Sequence, residues 1–426
     1  MLLTIIAFVV FMLIGIPISF SLGASSLVFL LQKGIPIGLI SQRMFTGLDS
    51  FPFLAIPFFI LSGELMNRSG ITKRLIRMAD VFVGRMRGGL GQVNVVVSMF
   101  FAGITGSAVA DTSSEGPIII PAMIEAGYDA DYAAAITCAS SVIGPIIPPS
   151  IPFVVYALIS STSVAALFLS GIFTGILLGI SQMVVNWIVS TKRNYPRSAR
   201  WPTFREMVLA VAQGMVPMLM PLIILGGIMG GIFTATEAAA VAVAYALVLG
   251  LIVYRNLSWE DLKKAFIGTA KTTGVVFLLI ACSNVFNWAL VVEQIPQQAA
   301  FFVAHTFTNK YTLLLGINIL LLIVGCFMEG TAALIILVPI LLQITKPFGI
   351  HPVHLGTIVV LNLMIGLVTP PVGLCLYIAC NIAKRPIEKV SKALVPFLIA
   401  SFAALMLVTY VEPIAMFLPR AFGYVR

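Results

Sequence analysis

Charged residues are scarce in this sequence, at 10% of 426 residues against 60% hydrophobic ones, and the mean hydropathy is +1.08. A soluble globular domain carries about 25% charged residues, so this chain has too few to cover a surface that faces water. Its apolar runs of roughly 20 residues are typical of membrane helices and lack the alternation of barrel strands. The composition therefore predicts an all-α polytopic membrane protein and excludes a soluble domain.

Cysteine is also rare and carries no recognisable chemistry. The five cysteines lie in apolar runs without CxxC spacing, which indicates small buried side chains rather than a disulfide framework or a metal site. The first apolar run, 3–31, has no basic start and exceeds the apolar core of a signal peptide. We expect it to be the first membrane helix, retained in the protein.

The charges that are present cluster. The net charge of +9 does not indicate nucleic-acid binding, because 19 of the 25 lysines and arginines lie in four groups between apolar segments, where they set membrane topology. These groups are Arg68, Lys73, Arg74, Arg77, Arg85 and Arg87; Lys192, Arg193, Arg197, Arg200 and Arg205; Arg255, Lys263, Lys264 and Lys271; and Lys384, Arg385, Lys389 and Lys392. The first group also suits a surface of anionic membrane lipids.

All four groups can be cytoplasmic only if two regions enter the membrane and return without crossing it. These regions are about 90–125, entered from the cytoplasm, and about 312–346, entered from outside. The charge pattern thus predicts two re-entrant helical hairpins of opposite polarity.

An internal repeat gives the same pair of regions. The motif GxxxPP occurs at 144–149 and again at 366–371, an offset of 222 residues. The same offset relates three further pairs, Gly103 and Gly325, Pro117 and Pro339, and Gly127 and Gly349. Proline removes an amide donor and frees a carbonyl one turn earlier, so each motif predicts a broken helix. Together with the charges, the repeat predicts an inverted topology, with two hairpins and two broken helices at the membrane midplane.

Oxygen-bearing side chains concentrate at the expected tip of the first hairpin. They are Thr105, Ser107, Asp111, Thr112, Ser113 and Ser114. An ionisable residue at membrane depth, here Asp111 or Glu115, is a functional candidate by default. The alternative is that these residues only cap two half-helices. The second tip has fewer hydroxyls, but Glu329 is placed where a carboxylate can orient the loop.

Several motifs in this order resemble the large membrane subunit of tripartite ATP-independent periplasmic (TRAP) transporters, over essentially the full length. They are AIPFFILSG at 55–63, GGLG at 88–91, GSAVADT at 106–112, IIPPSI at 146–151, GIFTATEAAAV at 231–241 and IGLVTPPVG at 365–373. Two positions depart from the common pattern, Ala235 in place of proline and Glu329 in place of aspartate. The second departure bears on the geometry of the second tip.

The resemblance implies a multi-pass protein of the bacterial inner membrane that uses a sodium gradient instead of ATP. Its substrate would be an organic-acid anion such as a C4-dicarboxylate, sialic acid or a sugar acid. It implies two partners, a small four-helix membrane subunit and a periplasmic substrate-binding protein. It also implies an elevator, in which a transport domain slides against a scaffold. The expected division is 1–90 for scaffold helices and a basic arm, 91–161 for the first transport repeat, 162–271 for scaffold helices and arms, 272–311 for a scaffold helix, 312–382 for the second transport repeat and 383–426 for a C-terminal helix.

Two sodium sites related by the repeat are expected within that division. The first would lie between Gly106, Ser107 and Asp111 at one tip and the break from Gly144 to Pro149. The second would lie between Gly330–Thr331 and the break from Gly366 to Thr369. The substrate carboxylate is expected between them, near Asp111, Thr112, Ser113 and Ser150.

Two other functions remain open at this point. A channel would need a continuous polar stripe, whereas the polar residues here concentrate at two tips and two breaks. An intramembrane hydrolase would use Ser113 or Ser114 with Asp111, but the three histidines, His305, His351 and His354, all lie near predicted loops, away from a nucleophile that needs a base.

Overall fold

The computed structural model describes residues 2–196, 203–307 and 309–425, and these residues form helices joined by turns. Arg197 and Arg200 of the second basic group lie outside the described residues. The α-helices are α1 (Leu2–Leu13), α2 (Ile18–Lys33), α3 (Gly38–Leu48), α4 (Ala55–Arg68), α5 (Ile71–Val83), α6 (Gly89–Thr105), α7 (Ala108–Glu125), α8 (Ala130–Ser141), α9 (Ile151–Ser160), α10 (Val164–Lys192), α11 (Phe204–Met229), α12 (Ala235–Leu247), α13 (Trp259–Val292), α14 (Ile295–Thr306), α15 (Lys310–Phe327), α16 (Gly330–Thr345), α17 (Pro352–Gly366), α18 (Leu374–Ala383), α19 (Ile387–Tyr410) and α20 (Pro413–Ala421).

Long apolar helices confirm the predicted class. Within the described ranges, seven helices are long and apolar enough to cross a membrane, or up to eight if α3 and α4, which are bent by 70° at a short break, form one span. The chain is therefore an all-α, multi-pass membrane protein. The two arms of the second hairpin, α15 and α16, are among the seven by length and composition, whereas those of the first are not. That the two hairpins enter the membrane and return on the same side stays a prediction.

The prediction of one N-terminal membrane helix over 3–31 is wrong. The region forms two helices, α1 and α2, separated by a turn over 14–17. Pro17 has no N–H to donate to the preceding turn, and Gly15 takes a positive φ of +89°. A composition average over the whole run conceals these two local signals.

Helix bounds recur at the offset seen in the sequence. The helices α8 and α17 begin at Ala130 and Pro352, which are 222 positions apart. The first arms of the hairpins, α6 and α15, end at equivalent positions, and the second arms, α7 and α16, begin at equivalent positions. The bent pair α3 and α4 corresponds in position to the single long helix α13. From α3 to α9 and from α13 to α18, the described residues therefore follow one order of elements, in which the single helix α13 stands opposite the bent pair.

Each broken helix reaches into the other half. The helix α9, which follows the first break, packs against α16 and α17, and α18, which follows the second break, packs against α7 and α8. Polar contacts that join the halves include those from Tyr156 to the carbonyl of Pro352, from Thr357 to Ser170, and from Arg385 to Asp131. The two hairpins and two broken helices thus form one interlocked centre.

Candidate functional site

The tip of the first hairpin rests on the first break. The helix α6 ends at Thr105, Gly106 turns the chain with φ +60°, and Ser107 begins α7 as its N-cap, accepting a hydrogen bond from the N–H of Ala110. A Cβ placed on Gly106 would lie 2.5 Å from the carbonyl oxygen of Pro149. Only glycine allows both this conformation and this close approach.

The break itself is buried and held by a serine. Between α8 and α9, the hydroxyl of Ser150 donates to the carbonyl of Pro145 and accepts from the N–H of Phe153 at 3.2 Å. Ser150 is completely buried and is the N-cap of α9. Its hydrogen is already donated, so its first role here is to fix the break. The peptide bond between Pro148 and Pro149 is cis, as is that between Pro370 and Pro371.

A buried carboxylate points at this break. Asp111 has no exposed surface, and its Oδ1 accepts a hydrogen bond of 3.4 Å from the hydroxyl of Thr105. Its Oδ2 has no hydrogen-bond partner among the described residues. A Cβ placed on Gly144 would lie 3.0 Å from that oxygen. The structure therefore brings together Gly106, Asp111, Gly144 and Pro149, which is most of the first predicted ion site.

A chain of buried polar side chains lies beside Asp111. The hydroxyl of Ser98 lies 3.0 Å from Oε2 of Glu115 and 3.0 Å from the hydroxyl of Ser140. Ser140 donates to Asn94, and Asn94 donates to Thr137 at 2.6 Å. The chain joins α6, α7 and α8, so it ties the hairpin to the broken helix. Glu115 was a candidate from the sequence, but the partners on α6 were missed because single polar residues in an apolar helix reveal neither their face nor their neighbours.

The predicted substrate residues lie on different faces of α7. Thr112 is buried and donates to the carbonyl of Ala108, whereas Ser113 is exposed and donates to the carbonyl of Val109. Successive helix residues point about 100° apart, so Ser113 cannot share the face of Asp111. The structure thus keeps Thr112 near the site and separates Ser113 from it. Cys375 of α18, for which the sequence predicts only a small buried side chain, lies beside the hydroxyls of Thr112 and Ser141.

The second tip is capped by an acid. Glu329 is the N-cap of α16, and its carboxylate accepts from the N–H of Ala332 at 3.0 Å and from the hydroxyl of Thr331 at 2.9 Å. It occupies the position equivalent to Ser107 at the offset of 222. Unlike Asp111, Glu329 is exposed.

The second break is packed backbone to backbone. A Cβ placed on Gly366 would lie 2.5 Å from the carbonyl carbon of Gly325. Gly330, by contrast, faces Met364, and the hydroxyl of Thr369 donates to the carbonyl of Ile365. The structure therefore places Gly366 against the first arm of the hairpin, and Gly330 one turn before the break.

An amide pair links the second hairpin to its broken helix. Asn362 donates to Oδ1 of Asn318 at 2.7 Å, and Asn318 donates to Thr409 at 3.1 Å. Oδ1 of the buried Asn362 has no partner among the described residues. Asn362 is equivalent to Ser140 at the offset of 222, so both halves join hairpin and broken helix at the same position with different chemistry.

The similarity to known proteins extends over almost the whole chain. Residues 5–414 match the family described as "Tripartite ATP-independent periplasmic transporter, DctM component". The isethionate TRAP transporter permease protein of Oleidesulfovibrio alaskensis is 41% identical over 96% of this chain, which spans 65% of that relative. The sialic acid TRAP transporter large permease protein of Vibrio cholerae is 40% identical over 96% of both chains.

A solved structure shares the fold. The YdaH transporter of Alcanivorax borkumensis aligns with a TM-score of 0.63 over 91% of this chain and 89% of its own, at 15% identity. At this identity the likeness concerns the fold alone. The family match and the two relatives show that the chain with these two tips and two breaks belongs to the DctM component family of tripartite ATP-independent periplasmic transporters.

Proposed function

We propose that this chain imports an organic-acid anion together with sodium, after a periplasmic binding protein delivers the substrate. The two relatives are named for isethionate and for sialic acid. One is a sulfonate and the other a carboxylate, so the common feature is a small hydrophilic anion. The proposed substrate class is therefore a small organic-acid anion, which includes the carboxylates that the resemblance implies.

The observation that carries sodium coupling is the unpartnered oxygen of Asp111. An ionised carboxylate without a partner is costly at membrane depth, and a cation beside it lowers that cost. The first break adds carbonyl oxygens, since its prolines cannot donate to the preceding turn. Oxygen ligands suit a hard cation such as Na⁺. The first sodium site would use Asp111 with backbone oxygens near Gly106, Ser107, Gly144 and Pro149.

The second sodium site would depend more on backbone and amide oxygens. Near Gly366 the orphaned Oδ1 of Asn362 is the counterpart of Oδ2 of Asp111. The other predicted ligands of this site are the hydroxyls of Thr331 and Thr369 and the backbone at Gly330. The site has no buried carboxylate of its own, because Glu329 is exposed.

The substrate anion would lie where two helices begin. The N-terminus of α7 at Ser107 and that of α9 at Ser150 are close together, because Gly106 packs on Ser150. Helix N-termini carry positive partial charge and attract anions. Sodium at Asp111 would neutralise the nearby carboxylate and so favour the anion, with Thr112 at the edge of the site. Binding of the ion and of the substrate would then be coupled.

The elevator is proposed from the interlocked centre. The segments 91–161 and 312–382 are joined through α9 and α18, which pack on the opposite repeat. They can therefore move as one body against the remaining helices. A small four-helix membrane subunit would support the static part, and the complex would lie in the bacterial inner membrane.

The test is uptake into proteoliposomes that contain the chain and its partner subunits, with the binding protein and a candidate acid outside. Uptake is expected to need an inward sodium gradient. Equal uptake with potassium in place of sodium would contradict the coupling, while leaving membership of the family intact.

The same preparation separates the other two functions. A channel would conduct ions without substrate, which planar-bilayer recording detects. A hydrolase would react with a serine-directed covalent probe at Ser113 or Ser114. Against it, Ser113 donates to its own helix, and the amide of Asn67 donates to Ser114 at 2.6 Å, so neither contact supplies a base.

A further inference from the structure

A cavity of about 350 Å³ lies apart from the tips and breaks, where α8 and α19 begin and α10 ends. Residues of the second and fourth basic groups, which are far apart in the sequence, meet there. The cavity is lined by Asp129, Ala130, Asp131, Arg193, Arg385, Lys389, Lys392 and Ala393. Its volume is within the range of sites that hold small ligands.

The two acids of this pocket are already paired. Oδ2 of Asp129 accepts from Arg193 at 2.8 Å and from the hydroxyl of Tyr195 at 2.6 Å. Both oxygens of Asp131 accept from the guanidinium of Arg385, one of them at 3.0 Å. The hydrogen bonds to Asp131 raise the pKa of the Arg385 guanidinium. The two carboxylates therefore balance the two arginines.

Two lysines remain in excess. Lys389 and Lys392 are exposed on α19, and neither forms an ion pair with any residue in the part of the chain that the structure describes. The pocket thus has two more positive than negative side chains. It also lies at the N-termini of α8 and α19, which add positive partial charge. An anion is the ligand that this arrangement favours.

The surface next to the pocket is apolar and exposed. Along α19, Lys389 and Lys392 are followed by Val395 and Ile399, at spacings that keep all four on one helix face. Val395 is 48% exposed and Ile399 is 62% exposed. This helix is one of the candidate spans, so the face leads from a basic boundary towards the hydrocarbon. On α10, Trp187 is 48% exposed two turns before Arg193, and tryptophan is typical of the membrane interface.

We propose that this pocket binds the phosphate headgroup of an anionic phospholipid. Lys389 and Lys392 contact the phosphate, and the acyl chains lie along Val395 and Ile399. Basic pockets between membrane helices recognise such headgroups. A soluble phosphate would use the same lysines but would gain nothing from the apolar face, which is why the lipid is the assignment. The site is independent of the ion and substrate sites.

Native mass spectrometry of the full-length chain in a mild detergent tests the proposal. The probes are phosphatidylglycerol, zwitterionic phosphatidylcholine, glycerol phosphate and inorganic phosphate. The test variant is Lys389→Gln with Lys392→Gln. The control is Lys263→Gln with Lys271→Gln, which changes the net charge equally at two exposed lysines of one helix outside the pocket.

Phosphatidylglycerol is expected to bind more tightly than phosphatidylcholine, and the pocket variant should lose about 30-fold in affinity for it. The control variant should bind as the unchanged chain does. Equal loss in both variants, or no preference for phosphatidylglycerol, would overturn the proposal. Glycerol phosphate or inorganic phosphate binding as tightly as the lipid would instead assign the pocket to a soluble anion and reject the lipid. Melting temperatures of both variants show whether a loss of binding is a loss of folding.

Discussion

At the first tip the carboxylate of Asp111 is completely buried, whereas the carboxylate at the second tip, on Glu329, faces outward. The helices around the two tips nevertheless begin and end at equivalent positions. In the first half a chain of serine, threonine, asparagine and glutamate side chains ties the hairpin to the broken helix. In the second half the tie is a pair of asparagines. The repeat thus fixes the backbone plan, while the side-chain chemistry of each half is set separately.

The difference implies that the two proposed sodium sites are unequal. A buried carboxylate with a free oxygen binds a cation by charge, whereas amide and backbone oxygens bind it by dipoles alone. We therefore expect the first site to determine the sodium affinity of the whole protein.

The largest expected effect comes from exchanging charge for amide at each tip. Asp111→Asn should raise the sodium concentration for half-maximal uptake by about 10-fold to 100-fold, the range that follows loss of groups supporting a metal site. Glu329→Gln should change it less than about 3-fold, because that carboxylate is exposed and caps its own helix. Sodium titration of uptake in proteoliposomes measures both. Similar shifts in the two variants would show that the tips contribute equally.

A methyl group added at each break should distinguish an effect on protein stability from an effect on sodium affinity. In Gly366→Ala the new carbon meets the backbone of Gly325, which cannot move away, so we expect a loss of about 1–3 kcal/mol in unfolding free energy. In Gly144→Ala it meets the carboxylate of Asp111 at 3.0 Å, a side chain that can rotate, and the carbonyl oxygen of Ser141 at 3.2 Å, which is a milder contact than that of Gly366. This variant should keep more of its stability and lose sodium affinity.

Unfolding titrations in mixed detergent, combined with the sodium titration, test this pair. A more stable Gly366→Ala than Gly144→Ala protein would contradict the packing difference. An unchanged sodium affinity in Gly144→Ala would count against the placement of the ion beside Asp111.

The sequence was sufficient for the fold class and for the positions of both tips and both breaks. Composition sets the class, and proline and glycine act locally, so GxxxPP predicts a break wherever it occurs. The same local signals, Gly15 and Pro17, indicate a turn within the run 3–31. The hydropathy average over the whole run does not show that turn.

The contacts between side chains far apart in the sequence could be identified only from the three-dimensional structure. Asn94 and Ser140 are 46 positions apart and meet only because α6 folds against α8. Likewise Cys375 reaches Thr112 because α18 crosses into the other half. Helix periodicity is enough to place Ser113 and Asp111 on different faces, since they are two positions apart and therefore about 200° apart around the helix. Treating the serine-rich tip as one cluster concealed that difference.

Removing the central amide in each half compares the two polar ties. Asn94→Leu loses a bond to Thr137 and one from Ser140, while Asn362→Leu loses one bond to Asn318. Hydrogen bonds between membrane helices average about 0.6 kcal/mol, so Asn94→Leu should cost about 0.6 kcal/mol more. In addition, Asn362→Leu removes a buried oxygen that has no partner in the described residues. The loss of unfolding free energy in this variant should therefore be smaller still. Unfolding titrations of the two variants decide the order, and an equal or larger loss for Asn362→Leu would show that the second tie is the stronger.

The smallest effect is expected at the two equivalent N-caps. Ser107 accepts one long hydrogen bond of 3.4 Å from the N–H of Ala110, whereas Glu329 accepts one of 3.0 Å from the N–H of Ala332 and another from Thr331. Loss of an N-cap typically costs about 1 kcal/mol, and a bond of 3.4 Å is near the limit of useful geometry. Glu329→Ala should therefore destabilise the protein more than Ser107→Ala, by about 0.5 kcal/mol, although we expect Glu329 to contribute less to sodium binding than Asp111. A larger loss of stability in Ser107→Ala would mean that the first tip depends on its cap as well as on its ion, and stability and ion affinity would then no longer be divided between the two halves.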